Sequence, residues 1–276
     1  MKIGVIGKGG SGKTTVSGVL ARSLARQGWE VVAIDCDSNP NLGISLGLGL
    51  DQTQELAAIR QALDEGTEEH APTAEEVLQK FGSVGPDRVR VAVVTRIDKP
   101  SGGCPCCGIS PEQLLAELET GELPPTAGNG TAGAAGPVAQ NGSAPARPGR
   151  VLIADMEAGL GTIGRMREGS LDVAILVTEP TPKAIEVVRR AAEMVVEHKI
   201  ATRTVILANK VRDESDVERV SSVMLAVNGL AGVEVIVVPE DLDVLAADAQ
   251  GVSPIDHAPD SPAVEAVAAM AERLAA

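Results

Sequence analysis

Aromatic residues are almost absent from this 276-residue chain, which contains one Trp, one Phe and no Tyr. A core must therefore be built from Val, Leu, Ile and Ala, in keeping with the 44% of residues that are hydrophobic. Aliphatic strands buried on both faces are typical of parallel sheets covered by helices. The composition therefore favours an α/β fold, large enough to bury a sizeable core without disulfides.

Positive charge and long apolar runs are also scarce. The formal net charge is −14, and no run of Lys and Arg appears. This balance argues against a broad nucleic-acid surface and against electrostatic attachment to anionic lipid. No apolar stretch approaches the roughly 20 residues that span a bilayer, and the N-terminus has the pattern of a strand and loop rather than a signal peptide. We therefore expect a cytoplasmic protein with no nucleic-acid and no membrane partner.

Aliphatic strand candidates alternate with helical patterns along the whole chain. The predicted strands are Lys2–Ile6, Val31–Ile34, Val89–Val94, Val151–Ala154, Val173–Val177, Val205–Ala208 and Val233–Val238. The predicted helices are Thr14–Arg26, Ser110–Glu119, Pro182–His198, Ser215–Val227, Asp241–Ala249 and Pro262–Ala275. This alternation predicts a three-layer, doubly wound, mostly parallel sheet with helices on both faces, whose ligand lies at the carboxyl ends of the strands.

One segment, residues 121–150, interrupts the alternation. It is rich in Gly, Pro, Ala, Asn and Ser and has no periodicity, which predicts a flexible surface insertion. It is not a domain boundary, because the strand that starts at Val151 must join the same sheet. We therefore expect a single domain over residues 1–276 with an insertion at 121–150.

The most informative segment is the glycine-rich loop between the first predicted strand and the first predicted helix. It reads Gly-Lys-Gly-Gly-Ser-Gly-Lys-Thr-Thr over residues 7–15, in the strand–loop–helix context of a phosphate-binding loop. Lys13 is expected to reach the β- and γ-phosphates, and the Thr14 hydroxyl to ligate Mg²⁺. The predicted nucleotide contacts in this loop are Gly9, Gly10, Ser11, Gly12, Lys13, Thr14 and Thr15.

Acidic residues follow the second and the fourth predicted strands. Alternation puts Asp35 and Asp37 on the same side of the chain, so that one could orient the attacking water and the other contact the metal shell. Cys36 points the opposite way and is expected in the core. Asp155 ends an apolar run where Mg²⁺ and its waters are expected, and is predicted to lie behind the ion bound by Thr14. From the residues alone, the alternative for Asp35 and Asp37 is that they form an acidic turn cap.

Asn209 and Lys210 follow the predicted strand Val205–Ala208. An Asn amide can pair bidentately with the N6/N7 edge of adenine, although a plain loop fits these residues equally well. The guanine-reading pattern Asn-Lys-x-Asp is not met, because Asp213 falls one position late. The segment therefore favours ATP over GTP.

Three of the four cysteines cluster in the segment Cys104-Pro105-Cys106-Cys107. In a reducing compartment such a cluster indicates metal binding or redox chemistry rather than disulfides. One chain offers too few thiolates for a closed tetrahedral site, whereas two chains related by a two-fold axis would supply four. Soft thiolates suit Zn²⁺, Ni²⁺, Cu(I) or an iron–sulfur cluster. The alternative is that the cysteines lie in a loop by chance and bind no metal.

The loop pattern Lys-Gly-Gly-x-Gly-Lys-Thr-Thr resembles the deviant Walker A loop of nitrogenase iron protein, the Min-system and partition ATPases and the metallocentre-maturation ATPases. This resemblance implies a P-loop NTPase fold of the SIMIBI type and an ATPase that closes as a homodimer around ATP. It implies that Lys8 reaches the nucleotide of the partner subunit, and that Asp37, the second acid of Asp-x-Asp-x-x-Pro, positions the attacking water. It also places adenine recognition at Asn209 and near Pro239.

Together with Asp-Cys-Asp-Ser-Asn-Pro-Asn-Leu, Gly-Cys-x-Cys, Asp-Met-Glu-Ala-Gly and Asn-Lys, the loop looks like that of the CooC-type carbon monoxide dehydrogenase maturation ATPases. The match covers the chain except the insertion. It implies nickel or zinc bound by Cys104 and Cys106 at a dimer interface, ATP/ADP and Mg²⁺ as cofactors, and nickel delivery to a client such as carbon monoxide dehydrogenase. Cys107 is an extra thiol, which makes Cys104 with Cys107 an alternative pair. The three histidines are scattered and are expected to be structural or at the surface; they are His70, His198 and His257.

Two alternatives stay open. An ATP-driven reductase resembling nitrogenase iron protein would bridge two chains with a cluster, but that family draws its cysteines from two separate loops, and no cysteine here follows Asp155. A partition or positioning ATPase would bind DNA or membrane, which the acidic charge and the absence of a basic C-terminal face disfavour.

Overall fold

The computed structural model describes residues 1–37, 40–64, 73–74, 78–79, 82–93, 111–121, 123, 149–156, 160–161 and 163–276. The elements in the first part of the chain are β1 (Lys2–Gly7), α1 (Lys13–Arg26), β2 (Glu30–Asp35), α2 (Leu42–Leu46), α3 (Gly49–Asp64), β3 (Gly82–Val84), β4 (Arg90–Val93) and α4 (Pro111–Thr120). The elements that follow are β5 (Arg150–Asp155), β6 (Leu171–Thr178), α5 (Pro182–Glu197), β7 (Ala201–Val211), α6 (Glu214–Met224), β8 (Val235–Pro239), α7 (Leu242–Gln250), α8 (Pro254–His257) and α9 (Pro262–Ala275). Short 3-10 helices cover Pro86–Arg88 and Ile163–Arg165.

The strands form one eight-stranded sheet in the order β3-β4-β2-β5-β1-β6-β7-β8. Every neighbouring pair is parallel except β3 with β4 at one edge, which is antiparallel. The predicted doubly wound, mostly parallel sheet is therefore confirmed. Since β1 lies between β5 and β6, the loop that follows it emerges at the centre of the carboxyl edge, where ligands bind in such sheets.

Two apolar layers cover the two faces of the sheet. On one face, α1 and α9 pack against strand residues such as Ile3, Val5 and Ile175. On the other, α4, α5 and α6 pack against residues such as Ile6, Val32 and Leu176. Cys36 lies in the second layer and is 6% exposed, which confirms its predicted place in the core.

Among the described residues, the elements that the sequence analysis missed include β3, α2, α3 and α8. β3 has only three residues, and all of them are half-buried, so no aliphatic run marks it. The five residues of α2 follow Asn41, whose side chain accepts no capping hydrogen bond from the helix. Its first N–H groups are instead satisfied by a carboxylate from β2, which sequence periodicity does not reveal.

The two described ends of the insertion meet at the amino edge of the sheet, opposite the glycine-rich loop. Arg150, the first residue of β5, donates from Nη1 to the Leu118 and Gly121 carbonyls at the end of α4. Its Nε donates to Glu30 at 2.9 Å, and the Glu30 N–H donates to the Gly149 carbonyl at 3.0 Å. Residue 122 and residues 124–148 lie outside the described part of the chain.

No helix within the described residues is long and apolar enough to cross a membrane. His198 and His257 lie exposed at helix ends, as predicted for surface residues, and His70 falls outside the described residues.

Candidate nucleotide-binding site

The glycine-rich loop forms a closed turn before α1. The Ser11 N–H donates to the Lys8 carbonyl at 3.1 Å, and the Lys13 ammonium lies 3.5 Å from the same oxygen. Gly10, the third residue of this turn, has a φ of 82°, which glycine adopts at no steric cost. Lys13 is 6% exposed although its ammonium is charged, as expected of a cation held for an anionic ligand.

Gly12 stands where the loop enters α1 and touches the neighbouring strand. Its φ is 92°, and a Cβ there would overlap Nδ2 of Asn209. Nδ2 of Asn209 donates to the Ser11 carbonyl at 2.7 Å. One Nδ2 hydrogen of Asn209 is therefore used in the bond to the loop. The second hydrogen and Oδ1 remain available to bind a nucleotide base.

Asp35 and Asp37 have different environments. Asp35 is 1% exposed, and its carboxylate accepts N–H bonds from Asp37, Asn41 and Leu42 at 3.0, 2.9 and 2.9 Å. Burial, and next the charge of Asp155, raise the pKa of Asp35 to about 7. Asp35 thus holds the segment after β2 and the start of α2, while Asp37 lines the cavity described below. Of the two acids, Asp37 is the one placed to meet a ligand.

Asp155 lies opposite Asp35 in the register of β5 with β2. It is 1% exposed, and Oδ1 accepts a 3.2 Å bond from the hydroxyl of Ser17. Burial raises the pKa of Asp155 to about 6, against the lowering effects of a hydrogen bond from Thr14 and the charge of Lys13. The carboxylate therefore lies behind Thr14, where it was expected. Sequence reasoning missed Ser17, which lies one helical turn beyond Lys13 and carries no motif of its own.

A cavity of about 320 Å³ opens at the carboxyl edge beside this loop, a volume at the lower end of the usual range for ligand sites. The predicted residues that line it are Gly9, Gly10, Gly12, Lys13, Thr14, Thr15, Asp37, Asn209, Lys210 and Pro239. The other predicted residues of this site, Lys8, Ser11 and Asp155, are not among the lining residues, and the buried Ser11 hydroxyl has no hydrogen-bond partner among the described residues.

Part of the lining comes from helices that no motif marks. Val244 and Leu245 of α7 and Val264 and Val267 of α9 are apolar lining residues, and the acidic residues Glu240, Asp241 and Asp248 line the cavity as well. The apolar residues were missed because an apolar residue on an amphipathic helix carries the same signal whether it packs in the core or against a base. The lining thus combines lysines and the backbone of the glycine-rich loop, which suit phosphates, with apolar side chains, which suit a base.

The donor set fits Mg²⁺ as well as a phosphate. Thr14, Asp37 and the nearby Asp155 offer a hydroxyl and carboxylates, the oxygen ligands that Mg²⁺ prefers. Within the described ranges, no group of three or more His, Cys, Asp or Glu residues could by itself hold a metal ion. The predicted ligands Cys104, Cys106 and Cys107 lie outside the described residues.

The parallel sheet and the glycine-rich loop at its central strand define a P-loop nucleotide-binding protein. The CobQ/CobB/MinD/ParA nucleotide-binding domain family matches residues 3–255, and the chain belongs to this family.

Relatives and solved structures agree with this assignment. The carbon monoxide dehydrogenase accessory protein CooC of Rhodospirillum rubrum is 27% identical over 271 residues, which cover 94% of this chain and 91% of that protein. An uncharacterized ATP-binding protein of Methanocaldococcus jannaschii is 27% identical over 225 residues, 78% of this chain and 76% of the relative. The septum site-determining protein MinD of Pyrococcus horikoshii, solved with Mg-ADP, superposes with a TM-score of 0.61 at 18% identity, over 99% of this chain and 95% of that one. At that identity the MinD likeness shows the fold alone.

Proposed function

We propose that this protein is a Mg-ATP-hydrolysing metallochaperone that closes as a homodimer and delivers nickel to an enzyme such as carbon monoxide dehydrogenase. The observation that carries the proposal is the relation to CooC over 94% of the chain, combined with the cysteine cluster at Cys104-Pro105-Cys106-Cys107. Neither feature alone separates a metal-delivery ATPase from the other members of the family.

ATP is the proposed nucleotide, and the cavity supports this choice. Lys13 and the loop amides suit the phosphates, while Asn209 and Pro239 line the same cavity as the apolar side chains beside which adenine would lie. An Asn amide with one free hydrogen and a free Oδ1 can still meet both the N6 and N7 positions of adenine.

Hydrolysis would depend on the acids and lysines around the loop. Mg²⁺, when bound by Thr14 with Asp155 behind it, would neutralise charge on the phosphates. Asp37 is the proposed positioner of the attacking water, since it reaches the cavity while Asp35 fixes its backbone. Lys13, with Lys8 from a partner subunit, would stabilise the charge that develops on the transferred phosphoryl group.

The proposed role of the cysteines is to bind the metal ion that the protein delivers. Cys104 and Cys106 from each of two chains would give four thiolates, a complete set for a tetrahedral ion such as Zn²⁺ and a soft set for Ni²⁺. Because neither chain completes the set alone, metal binding and dimerisation would support each other.

Metal titration of cysteine variants tests this proposal. The double variant Cys104→Ser/Cys106→Ser should lose stoichiometric Ni²⁺ and Zn²⁺ binding, measured anaerobically by calorimetry and elemental analysis. Cys36→Ala is the matched control, because Cys36 is a buried core residue and its loss should leave the metal content unchanged. Cys107→Ser decides whether the third thiol takes part. Unchanged metal content in the double variant would reject the metallochaperone proposal and leave nucleotide binding intact.

A further inference from the structure

Lys210 takes up an unusual conformation next to the glycine-rich loop. Its φ is 58°, in the left-handed region that residues other than Gly, Asn and Asp rarely adopt. The pairing of β7 with β8 shifts register between Ala208 and Val211, so that Lys210 lies in a bulge near the end of β7. Such a conformation persists only where its surroundings favour it strongly.

The side chain of Lys210 reaches back to the loop. Its Nζ donates to the Gly10 carbonyl at 2.7 Å, across a sequence separation of 200 residues. Glu179, after β6, lies 3.7 Å from the same ammonium. Together with the bond from Asn209 to the Ser11 carbonyl, two successive side chains of β7 thus hold two successive carbonyls of the loop.

These contacts fix the direction of the peptide groups in the turn. A peptide plane directs its C=O and its N–H to opposite sides. The Gly10 carbonyl faces Lys210, so the N–H of Ser11 faces the other way and closes the turn on the Lys8 carbonyl. The Ser11 carbonyl faces Asn209, so the N–H of Gly12 is directed away from β7. The turn that carries Lys8 is therefore tied to β7 by contacts between protein groups alone.

We propose that Lys210 is a positioning residue, which pre-organises the Lys8–Ser11 turn for the phosphates by anchoring the Gly10 carbonyl to β7. This role rests on nucleotide binding at the loop, the first part of the proposed function, and does not depend on the cysteines. Pre-organisation lowers the ordering cost that a ligand must meet on binding. Loss of this hydrogen bond should therefore lower the affinity for every nucleotide that binds the loop by the same factor.

The test compares two lysines in the same backbone conformation. Lys199 also has a positive φ, of 48°, and its ammonium lies 3.7 Å from a carboxylate, that of Glu168, but Lys199 precedes β7, at the opposite end of that strand from the loop. In Lys210→Met, we expect the nucleotide-free protein to exchange its amide hydrogens at residues 9–12 roughly three- to tenfold faster, because a charge-assisted hydrogen bond is lost. The dissociation constants of Mg-ADP and of a non-hydrolysable Mg-ATP analogue should rise by a similar, roughly three- to tenfold factor. Lys199→Met should leave both quantities unchanged.

Each outcome of these measurements tests whether the hydrogen bond from Lys210 to the Gly10 carbonyl orders the loop. Wild-type exchange and affinity in Lys210→Met would overturn the proposal without affecting metal delivery. Weaker binding with wild-type exchange in the nucleotide-free state would also overturn it, because Lys210 would then act on the ligand directly. Lys210→Arg, which keeps a cationic donor and guards against a folding defect, should restore most of the affinity; the same loss as in Lys210→Met would contradict the role assigned to the donor.

Discussion

At the scale of single residues, the glycine-rich loop predicts Lys13 and Thr14, and the acidic segment after the second predicted strand predicts Asp37; all three line one cavity. The residues alone do not separate the roles of Asp35 and Asp37, because both follow the same strand on the same side, and only the family resemblance favours Asp37. The difference comes from tertiary structure. Asp35 faces the backbone of Asn41 and Leu42, and those N–H groups are brought to it by the turn that the chain makes before α2.

The burial of Asp35 leads to a pH dependence of stability. Because the pKa of Asp35 is raised from 3.8 to about 7, the folded state holds a proton between about pH 4 and about pH 7 that the unfolded state has lost. The stability contributed by this group is therefore largest at low pH and falls as the pH rises through that window. In Asp35→Asn this titration is removed, so the fall in unfolding free energy between pH 5 and pH 7 should be smaller by roughly 2 kcal/mol.

Denaturant unfolding of the nucleotide-free protein at several pH values measures this difference. Asp172→Asn is the matched control, since Asp172 also accepts a backbone N–H, from Lys2, but at the amino edge of the sheet. The fall in unfolding free energy between pH 5 and pH 7 should be smaller in Asp35→Asn than in Asp172→Asn. If the unfolding free energy fell equally with pH in Asp35→Asn and in the wild type, the extra proton of the folded state would not be on Asp35.

At the scale of elements, the sequence identified the long helices and the aliphatic strands because their periodicity spans many residues. It did not show that α7 and α9 meet at the nucleotide cavity. That contact depends on Asp241, the N-cap of α7. Its carboxylate accepts from the N–H of Asp243 at 2.9 Å and from the N–H of Ala263, in the first turn of α9, at 3.1 Å. Burial opposes the charge on Asp241, but these N–H donors prevail and lower its pKa.

Because one carboxylate caps two helices, Asp241→Ala should cost more than an ordinary cap. We expect a loss of about 2 kcal/mol in unfolding free energy, which should exceed the loss in Asp213→Ala. Asp213 is the matched control, because it caps α6 alone, through the N–H of Asp216 at 3.1 Å. Denaturant unfolding at pH 7 gives both values. Equal losses would mean that the bond to Ala263 adds nothing to stability.

At the scale of the whole molecule, the alternation of strands and helices predicts one domain with an insertion at residues 121–150, and this stays a prediction. The insertion is closed by Arg150 at the amino edge of the sheet, whereas the nucleotide cavity lies at the carboxyl edge. β1, with six residues, separates these edges by roughly 20 Å. Sequence alone could not show this placement, since it depends on the direction in which each strand runs.

Deletion of the insertion should therefore spare the nucleotide site. Replacing residues 124–147 by a short Gly/Ser linker should leave the affinity for Mg-ADP unchanged within about twofold, because loop length contributes little to stability when the ends already meet. Titration calorimetry and thermal unfolding measure the two effects. Arg150→Met in the full chain is the comparison, because it removes the closing contacts and should lower stability while the insertion stays. Loss of nucleotide binding in the deletion variant would contradict this separation.

The central claim is that two copies of this chain close around nucleotide and share a thiolate-bound ion. Sedimentation velocity of the anaerobic protein, with a non-hydrolysable ATP analogue and Ni²⁺ present together, measures it most directly. The account predicts a dimer that carries one nickel ion for two chains and that is lost in Cys104→Ser/Cys106→Ser. A protein that stays monomeric when both ligands are saturating would contradict it.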